Sequence, residues 1–441
     1  MKKIGMISLG CPKNQVDAEI LLAKVAQHGY EITNDVDGAD AVIVNTCAFI
    51  EDAKKEAIEN ILDMVQLKSE GTIGKVIVSG CLAERYREEI LKEIPEVDAV
   101  MGIGSNKDIC EVLDRLFAGE EEIESFGQKC GLPLSGERML TTPPYLAYLK
   151  IAEGCSNGCT YCIIPSIRGK FRSRTAEDVL EEATRLAENG VRELIVVAQD
   201  TTRYGEDIYG KSALPALLTA LNKIEKLKWI RVLYCYPERI TDELIDAFAN
   251  NDKVLPYFDI PIQHASAEVL KRMHRIGDKE TLLELVRKIR AKIPNAVLRT
   301  TLIAGFPGET EEDFETLCDF VKEAKFDRLG CFAYSAEEGT VAAKMPDQID
   351  EEVKKERGEH IMDLQYRIFE EKNRENIGKI LPTVVEGYDP YTDSYYGRTY
   401  RDAPEIDGEI HFTCGYTLNE GDFVEVEVFD VQDYDLIGEV V

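Results

Sequence analysis

Short apolar runs alternate with segments of helical periodicity through the first 130 residues. The runs KIGMISLG, AVIVNT and KVIVSG are typical of buried strands. Helices are predicted over NQVDAEILLAKVAQHG, from about Glu51 to Lys68, and over LAERYREEILKEI, where apolar residues recur every three or four positions. Strands that alternate with helices predict a parallel α/β sheet for residues 1–130.

The alternation of strands and helices resumes over residues 144–373. Six strand candidates occur there, namely YLAYLKIA, ELIVVA, IRVLYC, YFDIPI, AVLRTTLIAG and RLGCFAYS. Helical stretches such as TAEDVLEEATRLAENG separate them, which predicts an incomplete (β/α)6 barrel. The preceding linker GLPLSGERMLTTPP is rich in Gly, Pro, Ser and Thr and predicts a domain boundary. The polar run 350–376 predicts a long amphipathic helix that packs on this barrel.

Residues 376–441 carry shorter strand signals separated by turns. PTVVEGYD, YYGRTY, EIHFTC, DFVEVEVFD and YDLIGEVV predict a small antiparallel five-stranded β-barrel of the OB-like class, which often binds oligonucleotides. The charge of this segment changes that picture, since 15 Asp and Glu residues stand against only Lys379, Arg398 and Arg401, a net charge of −12. Such a module is badly suited to phosphates and well suited to a basic protein.

The whole chain is acidic, with a formal net charge of −30 from 82 acidic and 52 basic residues. This charge aids solubility and repels nucleic acid backbones unless a basic patch overrides it. The start, MKKIGMISLGCPKN, has too short an apolar run for a signal peptide, and no later stretch could span a bilayer, so we expect a cytoplasmic protein without membrane contact. Twelve cysteines in such a protein favour metal or redox chemistry over disulfides.

Three cysteines each follow a predicted strand of the first segment. Cys11 follows the first strand, Cys47 the second and Cys81 the third. The carboxyl ends of parallel strands share one edge of a sheet, and ligands bind at that edge. We therefore predict a metal or cluster site on these three cysteines, with buried structural thiols as the alternative.

A second group of cysteines lies in the stretch EGCSNGCTYC. Cys155, Cys159 and Cys162 are spaced C-x3-C-x2-C just after the first strand of the predicted barrel, at the end where barrel active sites lie. A structural zinc needs four protein ligands, and no other Cys or His occurs between Cys130 and Cys235. A catalytic zinc with three thiolates and a water stays open, but a 4Fe–4S cluster with one open iron suits the thiolates better.

This cysteine spacing, on a loop after the first strand of a partial barrel, resembles the motif of the radical S-adenosylmethionine (SAM) superfamily. The resemblance implies that the open iron binds SAM. It further implies that reduction cleaves SAM to methionine and a 5′-deoxyadenosyl radical, which abstracts a hydrogen atom from the substrate. The barrel would shield that radical from water.

The order of the three segments resembles the radical SAM methylthiotransferase family across the whole chain, with an N-terminal cluster domain, a radical SAM core and a terminal TRAM barrel. The family resemblance implies a transferase with two 4Fe–4S clusters. The second cluster would be held by Cys11, Cys47 and Cys81 and is associated with the inserted sulfur. It also implies two SAM per turnover, one as methyl donor and one as radical source.

Two motifs bear on the substrate. ISLGCPKNQVDAE and VAQDTTRYG (residues 197–205) resemble the branch that adds a methylthio group to the β-carbon of an aspartate in ribosomal protein S-twelve of the small subunit. The tRNA branch typically has a G-C-Q-M-N pattern, whereas Pro12, Lys13 and Asn14 follow the first cysteine here. The acidic third segment agrees, because ribosomal proteins are mostly basic.

We therefore expect a basic ribosomal protein as partner, with tRNA disfavoured, and a flavodoxin- or ferredoxin-type electron donor. The runner-up is a tRNA adenosine 2-methylthiotransferase, which a basic third segment would have favoured. A hypothesis of another class is a non-catalytic iron–sulfur protein for RNA binding or electron transfer. That hypothesis leaves the open ligand position unexplained.

Four residues are candidate SAM contacts. Tyr161 lies where the family has an aromatic residue near the adenine, with plain packing as the alternative. Gln199 and Asp200 end the second barrel strand, where they could reach SAM or serve a capping role. Gly305, in LIAGFPGE after the fifth strand, would let the backbone approach the adenine.

Overall fold

Six parallel strands form the sheet of the first region in the computed structural model, which describes residues 1–441. Its elements are β1 (Lys3–Ser8), α1 (Pro12–Gln27), β2 (Glu31–Thr33), β3 (Ala41–Thr46), α2 (Glu51–Ser69), β4 (Lys75–Gly80), α3 (Cys81–Glu93), β5 (Ala99–Met101), α4 (Ile109–Phe117) and β6 (Ile123–Ser125). The strand order is β2-β1-β3-β4-β5-β6. β3 is buried at every position, as expected of a central parallel strand covered on both faces. The predicted α/β sheet is confirmed, and the three-residue strands β2, β5 and β6 are additions too short for a periodic pattern to predict.

A second sheet of six parallel strands forms the middle region, in the order β14-β13-β12-β11-β10-β7. Its main elements are β7 (Leu146–Lys150), α6 (Ala176–Glu188), β10 (Glu193–Val197), α8 (Leu214–Leu221), β11 (Trp229–Val232), α9 (Asp242–Asn250), β12 (Val254–Gln263), α11 (Lys279–Lys292), β13 (Val297–Ala304), α12 (Glu311–Ala324) and β14 (Arg328–Ala333). Shorter elements are β8 (Ala152–Glu153), α5 (Ile164–Arg168), β9 (Arg172–Ser173), α7 (Glu206–Tyr209) and α10 (Ala267–Arg272). The sheet does not close on itself, which confirms the predicted incomplete barrel.

The third region is a closed five-stranded barrel in the order β15-β16-β17-β19-β18. Its strands are β15 (Ile380–Asp389), β16 (Ser394–Thr399), β17 (Ile410–Thr413), β18 (Phe423–Gln432) and β19 (Asp435–Val440). Four of its strand pairs are antiparallel, and β17 with β19 is parallel. Closure leaves no unpaired edge strand, and the predicted small barrel is confirmed.

One long helix, α13 (Glu351–Arg374), joins the middle region to the third. It packs on β13 and β14 and against α12, and its buried side chains include Ile361, Ile368 and Phe369. This matches the predicted amphipathic helix, whose polar face carries most of the run 350–376. No helix in the chain combines the length and the apolar character needed to cross a membrane.

The concave face of the partial barrel is covered by both neighbouring regions. Side chains of β7, β10, β11, β12 and β13 on that face share one buried cluster with Val16 and Ile20 of α1 and with Val384 and Ala403 of the third region. The opposite face packs on the helices in a larger cluster. Successive residues of a strand point to opposite faces, so each strand supplies both clusters. Shared apolar burial thus sets the orientation of all three regions.

Arg138 fixes the linker between the first two regions through buried hydrogen bonds to both of them. Its side chain is 3% exposed, and it donates to Glu19 of α1 (2.9 Å), Glu182 of α6 (2.7 Å) and the carbonyl of Tyr148 (2.7 Å). The Gly- and Pro-rich composition indicated a boundary, and a buried arginine inside it joins the elements on either side.

Ion pairs buried between the partial barrel and the third region reinforce this arrangement. Arg398 of β16 donates to Glu193 of β10 (2.8 Å) and to Glu386 of β15 (2.8 Å), while Arg231 of β11 donates to the other oxygen of Glu193 (3.0 Å). Glu193 is fully buried, and burial alone would raise its pKa, but Arg398 and Arg231 hold that pKa below its ordinary value. A carboxylate in this position needs both partners to stay ionised.

The second arginine of the third region is also turned inward. Arg401 donates to Asp327 (3.1 Å), and Arg328 of β14 pairs with Asp402. Arg398 and Arg401 therefore neutralise carboxylates at the interface and add no positive charge to the outer surface of the barrel.

Replacing Arg398 with Met is expected to destabilise the docking of the third region by about 3–5 kcal/mol, because one oxygen of Glu193 loses its partner inside the interface. Urea unfolding of the purified chain measures this as a lower midpoint of the first transition. Arg287→Gln is the matched control, since Arg287 pairs with Glu280 on the exposed surface and little change is expected. Equal midpoints for the two variants would show that the interface does not depend on this pair.

Candidate active site

Cys155, Cys159 and Cys162 lie together on the loop between β8 and α5, as the spacing predicted. Gly154 has a φ of +73°, and a Cβ there would stand 2.3 Å from the carbonyl oxygen of Lys170, so only glycine permits this start of the loop. The N–H of Cys155 donates to the carbonyl of Gly169 at 3.1 Å. Burial raises the pKa of Cys155 to about 11 and that of Cys162 to about 12. Metal ligands of this type bind as thiolates, so metal binding at these cysteines would release protons.

Asp200 is hydrogen-bonded to the cysteine loop. It is fully buried after β10 and accepts hydrogen bonds from Asn157 (2.8 Å) and from Thr202 (2.5 Å). Burial raises its pKa above the ordinary value. Asn157 lies between the first two loop cysteines, so its hydrogen bond to Asp200 orients the cysteine loop. This role resembles the capping role that was the alternative to a SAM contact.

Gln199 lies beside Asp200, and its side-chain amide forms only some of the hydrogen bonds it could form. Its amide nitrogen is 3.5 Å from Glu153, and its amide oxygen is buried without a hydrogen-bond partner. A buried polar atom without a partner is costly, so each one calls for an explanation. Gln199 therefore has a free acceptor at the carboxyl end of the sheet, where a polar ligand could bind.

Tyr161 lies in a group of aromatic and cationic side chains next to the cysteine loop. Arg275 donates to the Tyr161 hydroxyl at 3.4 Å and lies over the ring of Tyr236, 4.4 Å from the ring centroid. The Tyr236 hydroxyl is 3.9 Å from the Cys159 sulfur. The Nε of Arg275 is buried without a partner. Tyr161 thus contributes both packing and a polar contact, and the sequence did not indicate Tyr236 or Arg275.

Gly305 has a φ of +75° at the end of β13, which favours glycine. A Cβ there would stand 2.4 Å from Cγ of Lys354 on α13, and the N–H of Gly305 donates to Glu309 at 2.9 Å. The need for glycine at this position is therefore explained by the close approach of α13. Its predicted contact with SAM stays a prediction.

The second cysteine group lies at the carboxyl edge of the first sheet. Cys11 precedes α1, Cys47 follows β3, and Cys81 is the first residue of α3. The three strands that carry them, β1, β3 and β4, are neighbours in the sheet. Gly10 brings two of the loops into contact, because a Cβ on it would stand 3.0 Å from the Cys47 sulfur. The structure thus places these distant cysteines at one edge of the sheet, as the strand ends predicted.

Burial and nearby cations act in opposite directions on the pKa values of the thiols in this site. Burial opposes ionisation of Cys11, yet Lys13 and Arg168 lower the pKa of its thiol below the ordinary value. Burial raises the pKa of Cys81 to about 12, although the positive charge of Arg168 acts in the opposite direction. Lys13 is held by Tyr234, whose ring centroid lies 3.4 Å from its ammonium nitrogen. Two cations therefore face sulfur atoms that would bind a metal as thiolates.

No three His, Cys, Asp or Glu side chains are close enough together to ligate one metal ion. A 4Fe–4S cube gives each thiolate its own iron, so its ligands are spread more widely than those of a single ion.

A buried polar network lies between the two cysteine groups. Lys150 of β7 pairs with Asp17 of α1 and donates to Glu153 of β8 at 2.9 Å, and Arg168 of α5 donates to both carboxylates at 2.9 and 3.0 Å. Burial alone would raise the pKa of Glu153, but Arg168 and Lys150 hold it well below its ordinary value. The sequence did not indicate this network, and the only local signal was an arginine that follows the apolar stretch IIPSI.

Three family profiles match the chain. Residues 149–321 match the Radical SAM superfamily, residues 3–102 match a group described as Uncharacterized protein family UPF0004, and residues 377–441 match the TRAM domain. Together with the loop of three cysteines at the carboxyl end of a partial barrel, these matches define a radical SAM enzyme that carries a TRAM barrel.

The curated relatives identify the family within that class. The chain is 51% identical over 440 residues, 100% of both chains, to the ribosomal protein uS12 methylthiotransferase RimO of Caldanaerobacter subterraneus subsp. tengcongensis. It is 50% identical over 441 residues to the protein of that name from Clostridioides difficile, covering 100% of this chain and 99% of the relative. The chain belongs to the family of the ribosomal protein uS12 methylthiotransferases.

Solved structures agree on the fold. The cobalamin-dependent enzyme OxsB matches with a TM-score of 0.52 at 11% identity over 84% of this chain and 56% of its own. The methyltransferase TsrM of Kitasatospora setae matches with a TM-score of 0.51 at 15% identity over 76% of this chain and 75% of its own. At these identities the likeness concerns the radical SAM fold alone.

Membership in the radical SAM superfamily implies SAM and a 4Fe–4S cluster as cofactors. The residues present fit both groups. Three thiols on one loop are the donor set for a cluster with one open iron. Gln199 carries a buried amide oxygen and Arg275 a buried Nε, neither of which has a hydrogen-bond partner within the protein.

Proposed function

We propose that this enzyme adds a methylthio group to the β-carbon of an aspartate in ribosomal protein uS12, the S-twelve protein of the small subunit. It would consume two SAM per turnover, one as methyl donor and one as the source of a 5′-deoxyadenosyl radical. In this reaction a C–H hydrogen leaves with 5′-deoxyadenosine, and an S–CH3 group whose methyl comes from the other SAM takes its place on the carbon. The full-length identity to enzymes named for uS12 carries this proposal.

The bound SAM and iron–sulfur groups would supply the electron transfer and the radical. The protein would supply position and a dry site. Cys155, Cys159 and Cys162 would hold the radical SAM cluster, with Asp200 orienting their loop through Asn157. Gln199 and Tyr161 would contact SAM, and Gly305 would shape the wall beyond them.

A second 4Fe–4S cluster would be held by Cys11, Cys47 and Cys81. The support is that three residues distant in sequence meet at one sheet edge, two of them buried, with Arg168 and Lys13 beside them. Positive charges favour the thiolate form that binds iron.

The outer surface of the third region supports a basic substrate. Its arginines are paired inward, so exposed carboxylates dominate the outside, namely Asp393, Glu405, Glu420, Glu425, Glu427, Asp430, Asp433 and Glu439. Glu427 of β18 lies directly opposite Glu439 of β19. Like charges across a strand pair destabilise a sheet, and a cationic partner would relieve that repulsion. This acidic surface is unsuited to the phosphates of tRNA, which disfavours the tRNA alternative.

The proposal places the enzyme in the cytoplasm, where ribosomal proteins are made, with a flavodoxin or ferredoxin as electron donor. The acidic surface would repel an acidic carrier of that kind, so the donor would approach away from the third region.

The test uses anaerobically reconstituted enzyme with SAM and a low-potential reductant, given purified uS12 or unmodified tRNA in separate reactions. Intact mass spectrometry is expected to find the mass of one sulfur and one CH2 group gained by uS12 alone, on an aspartate. A gain on tRNA alone would contradict the proposed substrate, and no gain on either would contradict the proposed activity.

A further inference from the structure

Lys13 is a buried cation without a counter-ion in the chain. The residue is only 6% exposed, yet its ammonium forms no ion pair with any carboxylate of the protein. The ammonium lies instead over the ring of Tyr234, 3.4 Å from the ring centroid. Lysines are almost never buried to this degree unless they are paired, so the charge calls for an anion that the chain itself does not supply.

The surroundings of Lys13 on its own helix leave the positive charge uncompensated. Asp17 follows one turn later on α1, at the spacing where a lysine and an aspartate commonly pair, but it binds Lys150 and Arg168 instead. The first turn of α1 carries no acidic residue, and the N-terminal end of a helix is itself a positive pole. The ammonium and the helix end therefore add up to a positive potential that favours a bound anion.

Tyr234, which lies under the ammonium, is held in a strained conformation just after β11. Its φ of +62° lies in the left-handed region, which is unfavourable for a tyrosine. Three hydrogen bonds hold it there, because its N–H donates to Asp259 at 2.8 Å and its carbonyl accepts from the N–H and the hydroxyl of Thr201 at 3.1 and 3.0 Å. Strain of this kind persists only where the surrounding structure fixes it, and it clusters at functional sites.

The contact between Lys13 and Tyr234 joins the chain segments of the two cysteine groups. Lys13 lies two residues after Cys11, and Tyr234 lies two residues before Tyr236, whose hydroxyl is 3.9 Å from the Cys159 sulfur. The proposed reaction requires the substrate β-carbon to be reached from the radical source on one side and from the sulfur source on the other. The carboxylate of an aspartate is bonded directly to that carbon, so the group that binds the carboxylate must lie at this junction.

We propose that Lys13 is a specificity-determining residue whose ammonium, held over Tyr234, binds the carboxylate of the target aspartate. The inference rests on the proposed function in one respect, namely that an aspartate is modified at its β-carbon. The bound carboxylate fixes the position of that carbon for hydrogen abstraction. The ammonium also distinguishes aspartate from asparagine, because a neutral amide would leave the buried cation unpaired.

The experiment measures kcat/KM of the reconstituted full-length enzyme for uS12 and for uS12 in which the modified aspartate is replaced by asparagine. The wild type is expected to prefer aspartate by ~100-fold, the order of effect that follows when one partner of a buried charge pair is removed. Lys13→Met keeps a side chain of similar length without the charge and is expected to lower that preference to below ~5-fold. Lys13→Gln should behave as Lys13→Met does, so a folding defect of one variant is not decisive, and Lys13→Arg should keep most of the preference.

The matched control is Lys24→Met, at the opposite end of α1, which should keep the full preference for aspartate. A second arm measures the affinity of a fluorescent uS12 peptide, with the aspartate or with asparagine in its place, for the enzyme in the presence of SAM and without reductant. Lys13→Met is expected to weaken the binding of the aspartate peptide alone. Iron content is measured for every variant.

The inference is overturned if the wild type accepts both forms of uS12 equally. It is also overturned if Lys13→Met slows both forms by the same factor, as loss of iron from the first site, loss of SAM binding or a purely structural role of Lys13 would. If no uS12 gains the methylthio group, the proposed function fails, and the binding arm then decides the inference alone. In that arm, an aspartate preference that Lys13→Met retains refutes the inference, and one that it loses supports it.

Discussion

Cys159→Ala is expected to abolish both the cleavage of SAM and the modification of uS12. Cys159 is buried in the loop that carries the proposed radical SAM cluster, and two thiols cannot hold a cube that three thiols already ligate incompletely. Since enzymes accelerate reactions by about 10⁶-fold or more, loss of the group that supplies the chemistry should lower turnover by at least ~10³-fold. Chromatography of 5′-deoxyadenosine and mass spectrometry of uS12 measure the two outcomes.

The matched control is Cys130→Ala. Cys130 is exposed and lies outside both cysteine groups, so its removal should leave iron content and turnover unchanged. Retention of 5′-deoxyadenosine formation by Cys159→Ala would show that the loop does not hold the reactive cluster.

Cys81→Ala is expected to separate the two reactions. Cys81 lies in the first region and is not part of the radical SAM loop, so SAM cleavage should continue while sulfur insertion into uS12 falls by at least ~100-fold through loss of a cluster ligand. Iron content should fall toward that of a single cluster. The product balance is the measurement, namely 5′-deoxyadenosine formed for each uS12 molecule that gains the methylthio mass.

Cys110→Ala serves as the control within the same region, because Cys110 is half-buried on α4 and has no cysteine partner. If Cys81→Ala kept full methylthio transfer, the first-region cysteines would have a structural role only. If it lost SAM cleavage to the same degree as Cys159→Ala, the two sites would act as one.

The fold was largely predictable because apolar runs mark buried parallel strands. Cys11, Cys47 and Cys81 each follow such a run, and the rule that parallel strands end at one edge sufficed to place them at the same edge of the sheet. The strands β2, β5 and β6 were missed since three residues cannot display a period. The long helix α13 was predictable because its pattern extends over 24 residues.

The polar parts of the site were predictable only where a motif marks them. Asp200 was identified from its place at a strand end, but its bond to Asn157 depends on how the cysteine loop folds back. Arg168, Glu153 and Asp17 meet across two regions, and no local pattern reports a contact between residues 151 positions apart. Arg138 lies in the segment predicted as a linker at a domain boundary, and two buried glutamates hold it in place.

The most direct test of the central claim follows the hydrogen atom. The enzyme is reconstituted anaerobically with SAM and a low-potential reductant and given uS12 in which aspartate carries deuterium on its β-carbon. Mass spectrometry of 5′-deoxyadenosine is expected to show one deuterium for each uS12 molecule that gains the methylthio group. Methylthio transfer without deuterium in 5′-deoxyadenosine would contradict radical chemistry at that carbon, and deuterium transfer from labelled tRNA adenosine instead would contradict the assignment of the substrate.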